Sequence, residues 1–323
     1  MFRRMICLFA VVLLFCSSAL GDAFFAPKPN KVQQDAESLL QGELPKTTFF
    51  DFPGEFLEEG EEILHTDTEY QSQNIHLTLT QTRVDKTDVI IAEVYLRRLD
   101  CLVRLFGNDT YASRSTTVRK YAAATEGILC MSGDSGAALY GGLVVGNGKV
   151  WQNIVNKKRD QCVIWKNGLM ECFTGTEMRE EGIYSRENEI WQTFFFGPRV
   201  LGRNGEVLEK KSQFSYTDVW VKNPRAVIGS AEPGHYFLVL VAGRSTQSQV
   251  DPVKKNYGLD LCQVSQLMAD LGCTAAYNLD GGQSAVLWYN GDVISPLVNG
   301  GRPVGDAILI REPGTDMEVG QIK

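Results

Sequence analysis

At 323 residues and 35.9 kDa, with 44% hydrophobic and 22% charged residues, the chain has an ordinary globular composition, which excludes a disordered, collagenous or coiled-coil protein. A net charge of -7 and a pI near 5.2 exclude a partner gripped through the overall field, so no nucleic acid and no anionic lipid surface is expected. The only histidines are His65, His76 and His235, none at a metal-ligand spacing, which argues against a zincin helix or a His-rich zinc site.

Arg3 and Arg4 precede the apolar run Met5 to Phe15, followed by Ser17, Ser18, Ala19 and Gly21. That order predicts a signal peptide over 1–21, or an uncleaved N-terminal anchor, because the run falls short of the roughly 17–25 residues of a membrane span. A secreted or extracytoplasmic protein follows, with membrane contact at most through that anchor. Residues 22–74 carry Pro27, Pro29, Pro45 and Pro53 and the acidic run Glu55 to Glu62, and are expected to be a linker or peripheral segment.

From residue 75 the pattern sharpens. Ile75 to Leu79 alternates and Val89 to Leu96 is a richer apolar run, so both are expected to be strands. Ser115 to Thr125 predicts a helix and Ile128 to Met131 a buried strand. Gly142 to Val145 and Val150 to Trp151 flank the turn Gly146-Asn147-Gly148; Cys162 to Cys172 forms a second hairpin turning at Asn167-Gly168; Ala226 to Ile228 and Tyr236 to Val241 flank Glu232-Pro233-Gly234. Leu259 to Leu271 has the apolar spacing of an amphipathic helix. It leads into the strands Ala275 to Leu279, Ala285 to Tyr289 and Ala307 to Ile310. Strands outnumber helices, so the class is α+β: mostly antiparallel sheet with hairpins and a few packed helices, in one domain over 75–312, with 313–323 as a tail.

Without Cys7 and Cys16 of the leader, Cys101, Cys130, Cys162, Cys172, Cys262 and Cys273 remain in an oxidising compartment. The loop Lys166 to Gly168 sets Cys162 opposite Cys172, and these two are expected to be disulfide-bonded. The other four pair between elements or stay as buried thiols.

Candidate chemistry gathers where glycine abuts a strand end. In Asn278-Leu279-Asp280-Gly281-Gly282-Gln283-Ser284 an acid follows an apolar strand on a turn that lets a ligand approach the backbone. Ser132-Gly133-Asp134 repeats the arrangement. Arg225 opens a hairpin whose other strand runs toward Gly243-Arg244, so the two guanidinium groups are expected at one end of the sheet, suited to phosphate or carboxylate. Gly133-Asp134-Ser135-Gly136 lacks the context of a protease triad, Gly141-Gly142 and Gly146-Asn147-Gly148 lack the following Lys-Ser/Thr of a P-loop, and Asn108-Asp109-Thr110 is a glycosylation sequon.

The stretch Asn278 to Ser284 resembles the Asn-Leu-Asp-Gly-Gly-Gly-Ser-Ser signature of the phosphodiester glycosidase family. The resemblance continues in order through Ser132-Gly133-Asp134, the Cys162 to Phe173 hairpin, Phe196-Gly197-Pro198, Pro224 to Gly229, Gly243-Arg244 and Arg302-Pro303-Val304, covering about residues 85–311. Ser132, Ser135 and Gln283 depart from the pattern; Gln283 stands where the signature has its third Gly. The resemblance implies a hydrolase that cleaves a sugar-1-phosphodiester, such as an N-acetylglucosamine-1-phosphodiester on a phosphorylated glycan, to free sugar and phosphomonoester. Asp280 and Asp134 are then the catalytic residues, one acting on water or the anomeric carbon and the other orienting the sugar. Arg225, Arg244, Asn278, Gly133, Gly281, Gly282, Ser284 and Arg302 bind substrate. No cofactor is required, while two Asp leave a divalent ion open. The alternative is a non-catalytic binder of exopolysaccharide or cell-wall glycan on the same scaffold.

Overall fold

The computed structural model of the chain describes residues 48–107, 116–134, 141–215 and 219–313. The leader, the sequon, Ser135 and the tail from residue 314 lie outside them. Two antiparallel sheets dominate. The larger has seven strands in the order Leu64–His65, Glu69–Gln71, Ile75–Val84, Thr87–Leu96, His235–Val241, Arg225–Glu232 and Ala275–Asn278. The smaller has five: Asp292–Val293, Leu287–Tyr289, Leu129–Ser132, Asp306–Ile310 and Leu102–Phe106. A three-stranded sheet (Met170–Phe173, Gln161–Trp165, Ile190–Phe194) and the hairpin Leu143–Gly146/Lys149–Asn153 complete the strands described. Among the described residues there are three α-helices: α1 (Val118–Ala124), α2 (Gly175–Glu180) and α3 (Leu261–Asp270). The chain is thus α+β and mostly antiparallel.

The two main sheets share a core. Leu77, Val94, Ile228 and Leu238 from one meet Leu129, Met131, Leu287 and Ile308 from the other, all fully buried. The second face of the larger sheet is covered by α3, whose Val264 and Met268 pack on Val89, Val227 and Val239. Strand Thr87–Leu96 is therefore buried on both faces, which is why its sequence runs apolar without clean alternation. Helix α1 covers the outer face of the smaller sheet through Val118, Tyr121 and Ala122. Asp260 caps α3 through a capping box with Gln263, ending the preceding loop where the apolar spacing begins.

Residues 48–74 depart from the peripheral segment expected. Leu64–His65 and Glu69–Gln71 add two strands to the edge of the larger sheet, and Phe50 is buried in the main core. Sparse periodicity hid them, because edge strands of two and three residues offer too few positions for alternation to show.

The hairpin register is the one expected, with Cys172 directly opposite Cys162. Both are nevertheless free thiols here, as are the other four cysteines of the described residues. Cys162 is fully buried, while the Cys172 thiol donates to the Ala276 carbonyl at 3.5 Å. Directly opposed residues of an antiparallel pair have Cα atoms about 4.5–5.5 Å apart, inside the disulfide range. Protein exported to an oxidising compartment is expected to carry the 162–172 link. Non-reducing peptide mapping checks this, and either cysteine found alkylated in the unreduced digest refutes it.

Candidate active site

The site lies where the chain crosses from one main sheet to the other. Strand Ala275–Asn278 ends at the border of the larger sheet, and residues 279–286 carry the chain into Leu287–Tyr289 of the smaller one. Backbone hydrogen bonds fix the crossing at both banks: Leu279 N–H donates to Ala226 O (2.8 Å), Asp280 N–H to Gly133 O (3.2 Å) and Gly282 N–H to Pro224 O (3.1 Å). At Gly281 a Cβ would stand 2.4 Å from Pro224 O, so no larger residue fits without moving the backbone. Gly282, at φ +65°, backs onto the Arg244 guanidinium, 3.0 Å from where its Cβ would be.

Above the crossing opens a cleft of about 220 Å³ whose lining includes Asp280, Arg225, Arg244, Arg302, Asn278 and Gln283. Three guanidinium groups and one carboxylate give it a positive field in an otherwise acidic protein. Arg302 Nη2 donates to Asp280 Oδ2 at 2.8 Å, and its Nε is held by Ser284 Oγ. Arg225, at the start of its strand and largely buried, donates from Nη2 to Val221 O (2.8 Å) and from Nε to Leu259 O (3.3 Å). Arg244 is exposed, with Nε 3.3 Å from Asn223 Oδ1. The hairpin register, Arg225 opposite Val241, brings these two arginines to one end of the sheet. Asn278 Nδ2 donates to Gly197 O at 2.8 Å, and its Oδ1 is buried without a hydrogen-bond partner.

Three of the residues expected at the site stand behind the cleft instead. Asp134 accepts from the backbone N–H groups of Phe195 and Phe196, 2.6 Å each, and its side chain has no exposure. Its position after a strand of the buried inner sheet, rather than on the crossing loop, puts it underneath. Gly133 backs onto the Asp306 carboxylate, and Ser284, fully buried, orients Arg302.

Beneath the cleft is an ionic group that sequence reasoning missed. Arg104 is 2% exposed, sits 4.8 Å from the ring centroids of both Phe106 and Phe194, and donates from Nε to Asp306 Oδ2 at 2.6 Å. Its Nη2 is 3.6 Å from Asp134 Oδ2, and Nη1 donates to the Thr193 carbonyl. Two carboxylates thus share one guanidinium in a dry interior. Burial raises the Asp134 carboxyl above its ordinary range, against the pull of Arg104 and the two amides, and the Asp280 charge adds to the rise. Burial, with Asp134 adding, pushes Asp306 up to about 7 despite Arg104. The signal was available: a lone Arg in the buried strand Leu102–Phe106 demands a counter-charge.

No group of three His, Cys, Asp or Glu side chains among the described residues is placed to hold a metal ion. No helix among them is long and apolar enough to cross a membrane.

A family model described as phosphodiester glycosidase matches residues 119–311. Among curated proteins, the chain is 26% identical over 160 residues to the SPbeta prophage-derived uncharacterized protein YomE of Bacillus subtilis (strain 168). That match covers 49% of this chain and 23% of the relative, so the chain spans about a quarter of that protein's length. Among solved structures it is similar to the zebrafish N-acetylglucosamine-1-phosphodiester alpha-N-acetylglucosaminidase catalytic domain auto-inhibited by its pro-peptide: TM-score 0.55, 18% identity, 74% of this chain and 83% of that one covered. A hypothetical protein from Synechocystis gives TM-score 0.49 and 13% identity over 78% of this chain and 64% of that one. At 18% identity the likeness to the zebrafish domain is one of fold.

Proposed function

This chain belongs to the phosphodiester glycosidase family, and on that premise we propose that it is an exported hydrolase that cleaves a sugar-1-phosphodiester to free sugar and phosphomonoester. The observation that carries the reading is the pairing of one carboxylate, Asp280, with three arginines on a single cleft. Arg302 holds Asp280 Oδ2, which leaves Oδ1 for the reacting centre. Arg225 and Arg244 take the phosphodiester and stabilise the charge that grows on the departing oxygen. The bond between C1 and the bridging oxygen breaks, and the phosphate keeps that oxygen.

Phosphate is a good leaving group, so the scheme needs no strong general acid opposite Asp280. Asp280 accepts a proton from the attacking water, or attacks C1 itself before water releases the sugar. With both Asp134 oxygens engaged by backbone amides, Asp134 acts as a positioning residue: it holds Phe195 and Phe196, the latter on the cleft wall, and does not touch substrate. The protein's net charge of -7 repels a phosphodiester at long range, so the arginines must capture it locally.

Incubation with an aryl phosphodiester of a sugar is expected to release free sugar and aryl phosphate in equal amounts. Sugar 1-phosphate as the product instead means that the phosphorus–aglycone bond breaks, and rejects the reading. Arg244→Ala is expected to raise KM about tenfold or more, since a charge-assisted contact of about 1.5–3 kcal/mol is lost from bound substrate. Its exposure means that thermal stability should hardly change. A KM within twofold of the parent removes Arg244 from the phosphate site.

A further inference from the structure

We propose that Phe196 is the platform for the sugar ring, taking the C–H face of a pyranose whose C1 phosphate lies at Arg225 and Arg244. The inference rests on the sugar-phosphate reading above. Phe194, Phe195 and Phe196 follow one another, and the first two are each 1% exposed and packed in hydrophobic clusters. Phe196 is only half-buried and belongs to no such cluster. Its ring has no aromatic or cationic partner among the described residues. It is instead the one aromatic residue on the cleft lining, where nearly every other side chain is polar or charged.

The backbone of Phe196 is clamped. Its N–H donates to Asp134 Oδ1 at 2.6 Å and its carbonyl accepts from Arg159 Nη1 at 3.0 Å. The next carbonyl, Gly197 O, accepts from Asn278 Nδ2 at 2.8 Å. Both polar groups of the residue are thus spent inside the protein, and what it presents to the cleft is its ring. A ring on a backbone held at three successive groups has little ordering left to undergo when a ligand arrives.

The sheet puts this ring across Asp280 from the arginines. Strand Ala275–Asn278, which leads into Asp280, is flanked on one side by Arg225–Glu232. On its other side runs the Phe196 segment, where Asn278 N–H donates to Pro198 O at 3.0 Å and Arg199 bridges to Tyr277. Neighbouring strands lie about 4.8 Å apart, so the two banks are about 10 Å apart with Asp280 between them. A sugar phosphate with its phosphorus at the arginines and C1 at Asp280 therefore extends its ring toward Phe196. A pyranose carries hydroxyls around its rim and bare C–H groups on its faces. The negative face of an aromatic ring attracts such C–H groups, and covering it takes apolar surface out of water. The rim hydroxyls then meet the polar remainder of the lining.

The test compares two probes, one with the sugar and one without. N-acetylglucosamine 1-phosphate and inorganic phosphate are titrated calorimetrically into the wild-type protein, Phe196→Ala, Phe196→Leu and Phe196→Tyr. Phe196→Ala is expected to weaken the sugar phosphate about tenfold or more while inorganic phosphate stays within twofold of the parent. Phe196→Tyr, which keeps the aromatic face, should lie within about threefold of the parent, and Phe196→Leu between Tyr and Ala. Melting temperatures should hardly move, since the ring packs in no core. A sugar-phosphate affinity of Phe196→Ala within twofold of the parent, an equal loss for both probes, or no binding of the sugar phosphate by the wild type overturns the proposal. The expected loss of binding, with no sugar released from any diester, sinks the hydrolase reading and leaves the platform intact.

Discussion

Asp280→Asn is expected to remove turnover of a sugar phosphodiester almost entirely while leaving the fold in place. A carboxylate acting as base or nucleophile contributes about 10²–10⁴ in rate, and an amide can do neither job. The substitution keeps shape and one hydrogen bond, because Asn Oδ1 can still accept from Arg302 Nη2, now 2.8 Å from Asp280 Oδ2. What is lost in stability is one ion pair to an arginine more than a third exposed, about 1 kcal/mol or less. kcat should therefore fall at least about 100-fold with a melting temperature within a few degrees of the parent. Binding of sugar 1-phosphate should persist, since Arg225 and Arg244 are untouched. Near wild-type kcat on a substrate that the parent cleaves would take Asp280 out of the chemistry.

Arg104→Met is expected to have the largest effect on stability. The side chain is buried between two carboxylates, and removing it strands both in a dry interior. Breaking a buried pair in this way costs about 3–5 kcal/mol, or about 10 °C in melting temperature for a chain of this size. The effect depends on pH, with a definite sign. Asp306, pushed up to about 7, holds its proton in the folded protein while the unfolded chain has already released it in the ordinary carboxylate range. Its stabilising contribution is present below about pH 4 and is lost as the pH rises through about 7. This is opposite in sign to Asp88, whose carboxyl lies below its ordinary range: burial opposes the shift, but bonds from Ser248, Gln249 and Arg83 outweigh it. Without Arg104 both Asp134 and Asp306 hold protons more firmly still, so the variant should be nearest the parent in acid. Urea unfolding at pH 5 and pH 8 should show the larger gap at pH 8. Equal stability of variant and parent at pH 8 would show that the trio is not the uncompensated cluster its geometry describes.

Much of this protein is legible in its order of residues. Alternation and apolar runs locate most strands because each side chain's partition between core and water depends on its own face, and that is set by a period of two. The same holds for α3, where Val264 and Met268 follow the helical repeat, and for the hairpin that sets Cys162 against Cys172. Glycine beside a strand end marks Asp280 and Arg244, because a backbone that must pass close to Pro224, as Gly281 and Gly243 do, leaves no room for a Cβ, and that demand is written locally.

Local pattern could not separate Asp280 from Asp134, since both follow a strand beside glycine. The packing of the two sheets separates them: Asp280 rides the crossing loop onto the cleft, whereas Asp134 turns inward to two backbone amides. It also could not pair Arg104 with Asp306, 202 positions apart in the chain, or place residues 48–74 against the larger sheet. Composition, periodicity and turn chemistry are properties of neighbouring residues and so are fixed by the sequence itself. Which charges share a dry interior, and which carboxylate meets solvent, depends on how sheets far apart in the chain close over one another, and only the tertiary structure decides that.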